Sequence, residues 1–290
     1  MKKTSVLLAL GGLFAATAVQ AQVDLYITGS TAFRANAYRS IRALYAGNLT
    51  SQNPADPASG ANQVTWSGTI PGIFGGQTVT IHASYSGSAA GVQALTQNTS
   101  QNYLSSSTPG QTNLVSHQAD LAFSDVFQSS TVFQSPSLSD SQVGVLPFAW
   151  VKSQSGASSI TNVTIQQLQS FLANGIMPLS YFNGNPADDG TITYLVGRDS
   201  GSGTRITAER DALFIGSPLL WQPDGLCNWS ISAGFSSGSG VAGVLNGTCG
   251  PALGYLGLSD AATVNSGGNI IAYNGVKPFL GTIEIGRAHV

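Results

Sequence analysis

The sequence predicts an α/β fold in two lobes, and three observations carry that expectation. Strand-like apolar runs alternate with helical stretches along the chain, which argues for parallel strands with helices packed on the sheet. Polar turns rich in small residues follow the strands, at the carboxyl ends where such sheets hold ligands. A long apolar run over 142–152, interrupted by Pro147, reads as a strand passing between lobes. The 290 residues are enough for two units.

In chain order, Gln22–Thr28 is a short apolar strand ending at Gly29-Ser30-Thr31. A helix follows over 32–46, with Phe33, Ala37, Ile41 and Leu44 on one face and Arg34, Arg39 and Arg42 on the solvated side. The Pro-rich stretch 50–63 reads as a loop. Val64–Ile70 and Gln77–Ser84 read as two strands, the second leading into a small-residue turn and a short helix with Val92 and Leu95. The Ser/Thr/Asn/Gln-rich stretch 98–118 reads as a mobile loop, and Ala119–Ser124 as a strand ending at Asp125. Thr164 and Gln167 have capping-box spacing, and Ile165, Leu168, Phe171 and Leu172 form the stripe of a helix that stops at Gly175. Thr191–Val196 is a strand. Ile206, Leu213 and Phe214 then fall at helical spacing, with Gly216 and Pro218 as stop signals. Leu253–Leu258 is a further strand, returning to the first lobe. The lobes are therefore expected at 22–144 plus 253–283 and at 145–252. Trp66, Trp150, Trp221 and Trp229 read as core or rim residues.

Hydrophobic residues make up 42% of the chain, which supports a core, while charged residues are only 8%, against about 25% in ordinary soluble domains. Solubility then rests on Ser, Thr, Asn and Gln, a composition that suits an exported protein. Residues 1–21 read as a secretory signal, with Lys2 and Lys3, the apolar Val6–Ala18 and a small-residue cut after Ala21. No Cys follows that cut, so no lipid anchor is expected, and the mature protein is expected to be a periplasmic or secreted monomer. Cys227 and Cys249 are the only cysteines and in an oxidising compartment read as one disulfide. The net charge of −2 gives no basic footprint for nucleic acid. Residues 284–290 look like a translated sequencing-adapter oligonucleotide, so the natural C-terminus is expected to be missing.

The most informative stretch is Val196–Arg205, V-G-R-D-S-G-S-G-T-R, where a strand turns into a helix. Gly201 and Gly203 let backbone N–H groups approach a ligand. Ser202 or Thr204 can cap a helix whose N-terminus favours negative charge. Arg198 supplies a planar pair of donors suited to a tetrahedral oxyanion. With Gly29-Ser-Thr-Ala-Phe33, Ser86-Gly-Ser-Ala-Ala-Gly91 and Phe123-Ser-Asp125, this set in this order resembles the periplasmic phosphate-binding proteins of ABC transport systems. The resemblance covers most of residues 23–283 and is most specific over Arg198–Thr204.

That resemblance implies a periplasmic-binding-protein type II fold with two crossover strands, which would hinge near 145–151 and 254–258. It implies a non-enzymatic role: capture of phosphate or a similar oxyanion, with an ABC transporter permease as partner and no cofactor or metal. Carried over by residue, Ser30, Thr31, Phe33, Ser88, Asp125, Arg198, Ser202, Gly203 and Thr204 would form the ligand site. Asp125 would accept a hydrogen bond from a protonated phosphate oxygen. Two positions depart from the pattern: Ala32 stands where a Thr is expected, with Thr31 beside it, and Ser200 stands where an Asp is expected.

Rival readings find less support in the residues. Asp199-Ser200-Gly201 is like the nucleophile stretch of trypsin-like proteases, with His82 upstream, but the α/β pattern does not match two β-barrels and no G-x-S-x-G elbow is present. A phosphatase on the same fold needs a metal or an activated nucleophile, and His117 with Asp120 is a weak pair. Asp188-Asp189-Gly190 reads as an ordinary turn rather than a calcium loop. Gly203-Thr204 lacks the Lys of a P-loop. A surface or matrix protein reusing the fold is the remaining alternative.

Overall fold

The computed structural model describes residues 22–56 and 60–278. The signal segment, the adapter-like tail and the question of a missing C-terminus lie outside the described residues. Among the described residues, no helix is long and apolar enough to cross a membrane.

The first lobe is built from β1 (Val23–Gly29), α1 (Arg34–Leu44), β2 (Leu49–Asn53), β3 (Gln63–Thr69), β4 (Thr78–Ser84), α2 (Ser88–Thr96), β5 (Gln101–Leu104), β6 (Leu114–His117) and β7 (Leu121–Phe123). Its sheet runs in the order β2-β3-β4-β1-β7. The parallel pairing expected throughout holds for β1 with β4 and for β1 with β7, whereas β2, β3 and β4 form an antiparallel meander. Ile27, Val64, Trp66, Val79 and Ile81 make its core with Ile41 and Tyr45 of the α1 segment.

Four expectations for this lobe are corrected. Arg34 is buried at 5% exposure, while Leu44 is 48% exposed and Tyr45 takes its place in the core. Phe33, Ala37 and Ile41 of the expected face are buried, and Arg34, Tyr38 and Tyr45 share that side in the i, i+3, i+4 pattern. The 50–63 loop opens with a strand, β2. The 98–118 segment is the antiparallel hairpin β5–β6, held on the sheet by the buried Tyr103. Thr65 donates through Oγ1 to the Leu104 carbonyl at 3.0 Å, and His82 Nδ1 lies 2.8 Å from the same oxygen. His82 is a packed strand residue stacked on Tyr26.

The second lobe begins with β8 (Phe148–Lys152), β9 (Asn162–Val163), α3 (Ile165–Asn174), β10 (Ile176–Pro178), α4 (Ser180–Asn183), β11 (Ile192–Leu195) and α5 (Gly203–Asp211). It continues with β12 (Leu220–Pro223), β13 (Trp229–Ser232), α6 (Gly238–Asn246), β14 (Ala252–Gly257), α7 (Leu258–Ala261) and β15 (Ala272–Tyr273). The main sheet runs β10-β11-β14-β8, with β11 parallel to β14 and the outer pairs antiparallel. The capping box at Thr164 and Gln167 is formed, and Gly175 ends α3 in the left-handed region at φ 72°. Helix α5 stops at Asp211, and Leu213 lies outside the buried stripe at 70% exposure and φ 50°.

The two strands expected to cross between lobes are β8 and β14, antiparallel neighbours in the second sheet. Their junction ends reach the first lobe: a Cβ built on Gly257 would lie 3.6 Å from that of Ala32. The described part of 253–283, expected with the first lobe, packs on the second sheet. The reason is burial, since every residue of Ala252–Gly257 is enclosed between β11, β8, α6 and α7.

Cys227 and Cys249 form a disulfide across a sequence separation of 22. It lies beside Trp229, which donates to the Cys249 carbonyl at 3.0 Å and stacks on Tyr194. A loop of that length constrains the unfolded chain by about 3 kcal/mol. Cys227→Ser is therefore expected to lower the melting temperature by several degrees, read by calorimetry.

Candidate functional site

The polar turns sit at the carboxyl ends of β1, β4 and β7 in one lobe and of β11 in the other, and folding brings them together. Asp125, just past β7, is half-buried. Ser30, after β1, donates to Asp125 Oδ2 at 2.9 Å, and Ser88, at the start of α2, donates to Oδ1. The Asp125 N–H returns a bond to Ser88 Oγ at 3.2 Å. A carboxylate has roughly four acceptor sites, so two hydroxyls leave room for a further donor. Burial pushes the Asp125 carboxyl above the usual carboxylate range, against the pull of both serines and of Arg198.

The other lobe faces this carboxylate with the start of α5. A Cβ added to Gly203 would overlap Asp125 Oδ1 and come within 2.8 Å of Ser88 Cβ. Only glycine allows that approach, which leaves the first-turn N–H groups of α5 beside the acid. Of the two candidate caps, Ser202 occupies the N-cap position, yet its hydroxyl makes no capping bond. That hydroxyl is buried and has no partner among the described residues. Thr204 is buried in the same turn at 2% exposure.

Arg198 is also 2% exposed. Its Nε donates to the Phe235 carbonyl at 2.9 Å, and its Nη2 donates to the Ser236 carbonyl at 2.9 Å and to Thr31 Oγ1 at 3.0 Å. These bonds use three of the five guanidinium donors and leave the Nη1 pair outside them. The bond to Thr31 crosses between lobes. Phe33 packs its ring against Phe123, and its N–H donates to Ser30 Oγ at 3.1 Å; it supports the turn. Burial lowers the Arg198 pKa, countered by Asp199, Asp125 and Asp260.

The lobes touch directly at a second place. The Ala89 and Ala90 N–H groups at the start of α2 donate to the Gly201 carbonyl at 3.0 and 3.3 Å. Gly87, at φ 115°, permits this contact, because a Cβ there would overlap the same carbonyl.

Two charged residues near the site were not singled out by the sequence. Arg34 projects from the first turn of α1 into the buried side, bonds Asn62 Oδ1, and lies within electrostatic range of Arg198. Its place on the side of α1 that holds Ala37, Tyr38 and Ile41 was a readable signal. Asp260, on α7, sits against Gly238 at the start of α6 and feels the charges of Arg198 and Arg34. No local pattern marks it. Among the described residues no group of three or more His, Cys, Asp or Glu is placed to hold a metal ion.

No protein-family model matches the chain, and no curated protein matches it in sequence. Solved structures do resemble it. A substrate-binding protein from Clostridium perfringens, assigned to phosphate ABC transport and solved with bound phosphate, aligns with a TM-score of 0.50 at 16% identity, over 92% of this chain and 84% of that one. The chain has the fold of that substrate-binding protein. An ABC-type phosphate transport receptor from Vibrio cholerae aligns over 91% of this chain and 84% of its own at 16% identity, with a TM-score of 0.47.

Proposed function

We propose that this protein is an exported solute-binding protein that captures phosphate, or a closely similar oxyanion, between its lobes for ABC-type uptake. The observation that carries the reading is Asp125: a half-buried carboxylate, gripped by two serine hydroxyls, lies against the first turn of α5 and within electrostatic range of Arg198. Donors of that kind suit a tetrahedral anion. A fixed carboxylate among them suits only an anion that brings its own proton. In this reading the Arg198 Nη1 group, the α5 N–H groups and the hydroxyls of Ser30, Thr31, Ser88, Ser202 and Thr204 bind the oxygens. Asp125 accepts the ligand's proton and so excludes sulfate, which has none to donate at neutral pH. Leaving a buried acceptor unpaired costs about 1–3 kcal/mol, more for a charge, which is enough for discrimination of several powers of ten when repulsion adds to it.

Asp125→Asn tests this. Phosphate affinity is expected to fall about tenfold, corresponding to about 1.4 kcal/mol, while sulfate binding appears where the wild-type protein shows none. Unchanged phosphate affinity together with continued exclusion of sulfate would remove Asp125 from the site. In the ligand-free protein the sign of the stability effect is fixed by the raised pKa. The contribution of Asp125 is present below the ordinary carboxylate range and is lost as pH rises through its raised folded value. The variant's melting temperature should therefore gain on the wild type as pH rises.

A further inference from the structure

The charges around the cleft do not balance. Arg198 and Arg34 contribute two positive charges, one from each lobe. Facing them are the carboxylates of Asp125 beyond β7, Asp199 between β11 and α5, and Asp260 on α7. With all five ionised, the cluster carries a net −1 before any anion arrives. A dianion would take it to −3 in a low-dielectric enclosure, where like charges at close range cost several kcal/mol.

Two of the carboxylates are engaged by short-range bonds. Asp125 accepts from Ser30 and Ser88, and Asp199 Oδ1 accepts from the Gly201 N–H at 3.2 Å. Asp199 also lies near Arg205, whose Nε is bonded to Glu209 at 2.8 Å. Asp260 stands differently. Its Oδ2 fills the space over Gly238, at the start of α6, immediately beyond the Phe235 and Ser236 carbonyls that hold Arg198. Arg198 and Arg34 are the charged groups that act on it, and α7 follows Gly257, which lies against Ala32 two residues before Arg34.

We infer that Asp260 sets the proton demand of anion capture: it gives the cleft one carboxylate more than it has arginines, so binding of a multiply charged oxyanion takes up a proton from solvent. This rests on the oxyanion reading above and extends it, because the effect acts through charge and does not require contact with the ligand. Burial raises the pKa of Asp260 despite both arginines, the direction that favours uptake. One linked proton changes affinity by at most about tenfold per pH unit.

The test is calorimetric titration with inorganic phosphate at fixed pH, in buffers of different ionisation enthalpy, with thermal melts confirming that each variant is folded. The slope of observed heat against buffer enthalpy counts the protons taken up. After the proton that phosphate itself loses over this range is accounted for, wild type is expected to show uptake, and its affinity for the dianion is expected to fall as pH rises from 6 to 8. Asp260→Asn, of nearly the same shape, is expected to take up fewer protons and to show a fall several-fold shallower, with Asp260→Ser behaving alike. Phosphate binding with the same proton count and pH profile in wild type and both variants would overturn the role of Asp260 while leaving the oxyanion reading in place. Absence of phosphate heat from the wild type at every pH would overturn both.

Discussion

Arg198→Ala is expected to abolish measurable phosphate binding. The side chain is 2% exposed, and its guanidinium is fixed by two carbonyls and by Thr31 from the opposite lobe. Such fixing leaves the Nη1 pair pre-oriented, so little entropy is lost when an anion arrives. Hydrogen bonds to charged groups contribute about 1.5–3 kcal/mol each, so loss of two weakens binding by roughly 10²- to 10⁴-fold. The truncation also strips donors from the Phe235 and Ser236 carbonyls, so a lower melting temperature is expected as well. Arg198→Lys separates the two effects: it retains the charge and loses the planar geometry, and should bind with intermediate affinity. Calorimetric affinities within threefold of wild type for both variants would remove Arg198 from the site.

Gly203→Ala adds one methyl group where two lobes meet. The new Cβ would overlap Asp125 Oδ1, and the carboxylate cannot easily give way because Ser30 and Ser88 hold both of its oxygens. Overpacking of this kind costs about 1–3 kcal/mol, and here that cost falls on the closed arrangement of the lobes rather than on either lobe alone. Phosphate affinity is expected to fall about 5- to 150-fold, and small-angle scattering should report a larger radius of gyration with phosphate present. Wild-type affinity and an unchanged radius would mean that Gly203 and Asp125 are not apposed in solution.

Much of this site could be read before folding, because local signals mark it. Each turn sits at a strand's carboxyl end, and the strand-to-helix reading of Val196–Arg205 offers Ser202 or Thr204 as the cap, of which the structure has Ser202 at the N-cap position. The convergence of Ser30, Ser88 and Asp125 followed from the parallel order β4-β1-β7. What escaped depends on tertiary placement. A charged residue in a first turn is usually solvated, which hides Arg34; the buried Ala37, Tyr38 and Ile41 beside it show the face it shares. Asp260 lies on a four-residue helix with no motif, and only the packing of α7 against α6 and the junction with α1 brings it near the arginines. The β5–β6 hairpin escaped because its two short strands, each with only two apolar residues, are set in a Ser/Thr/Asn/Gln-rich stretch, with Tyr103 and Leu104 as buried anchors. The position of β14 was readable as a strand but not as a neighbour of β8, since antiparallel pairing over such a separation leaves no local trace.

The most direct measurement is calorimetric titration of the wild-type protein with phosphate and then with sulfate at neutral pH. Saturable phosphate binding is expected at micromolar or tighter affinity, one site per chain, with no heat from sulfate. No heat with phosphate, or equal affinity for both anions, would contradict it.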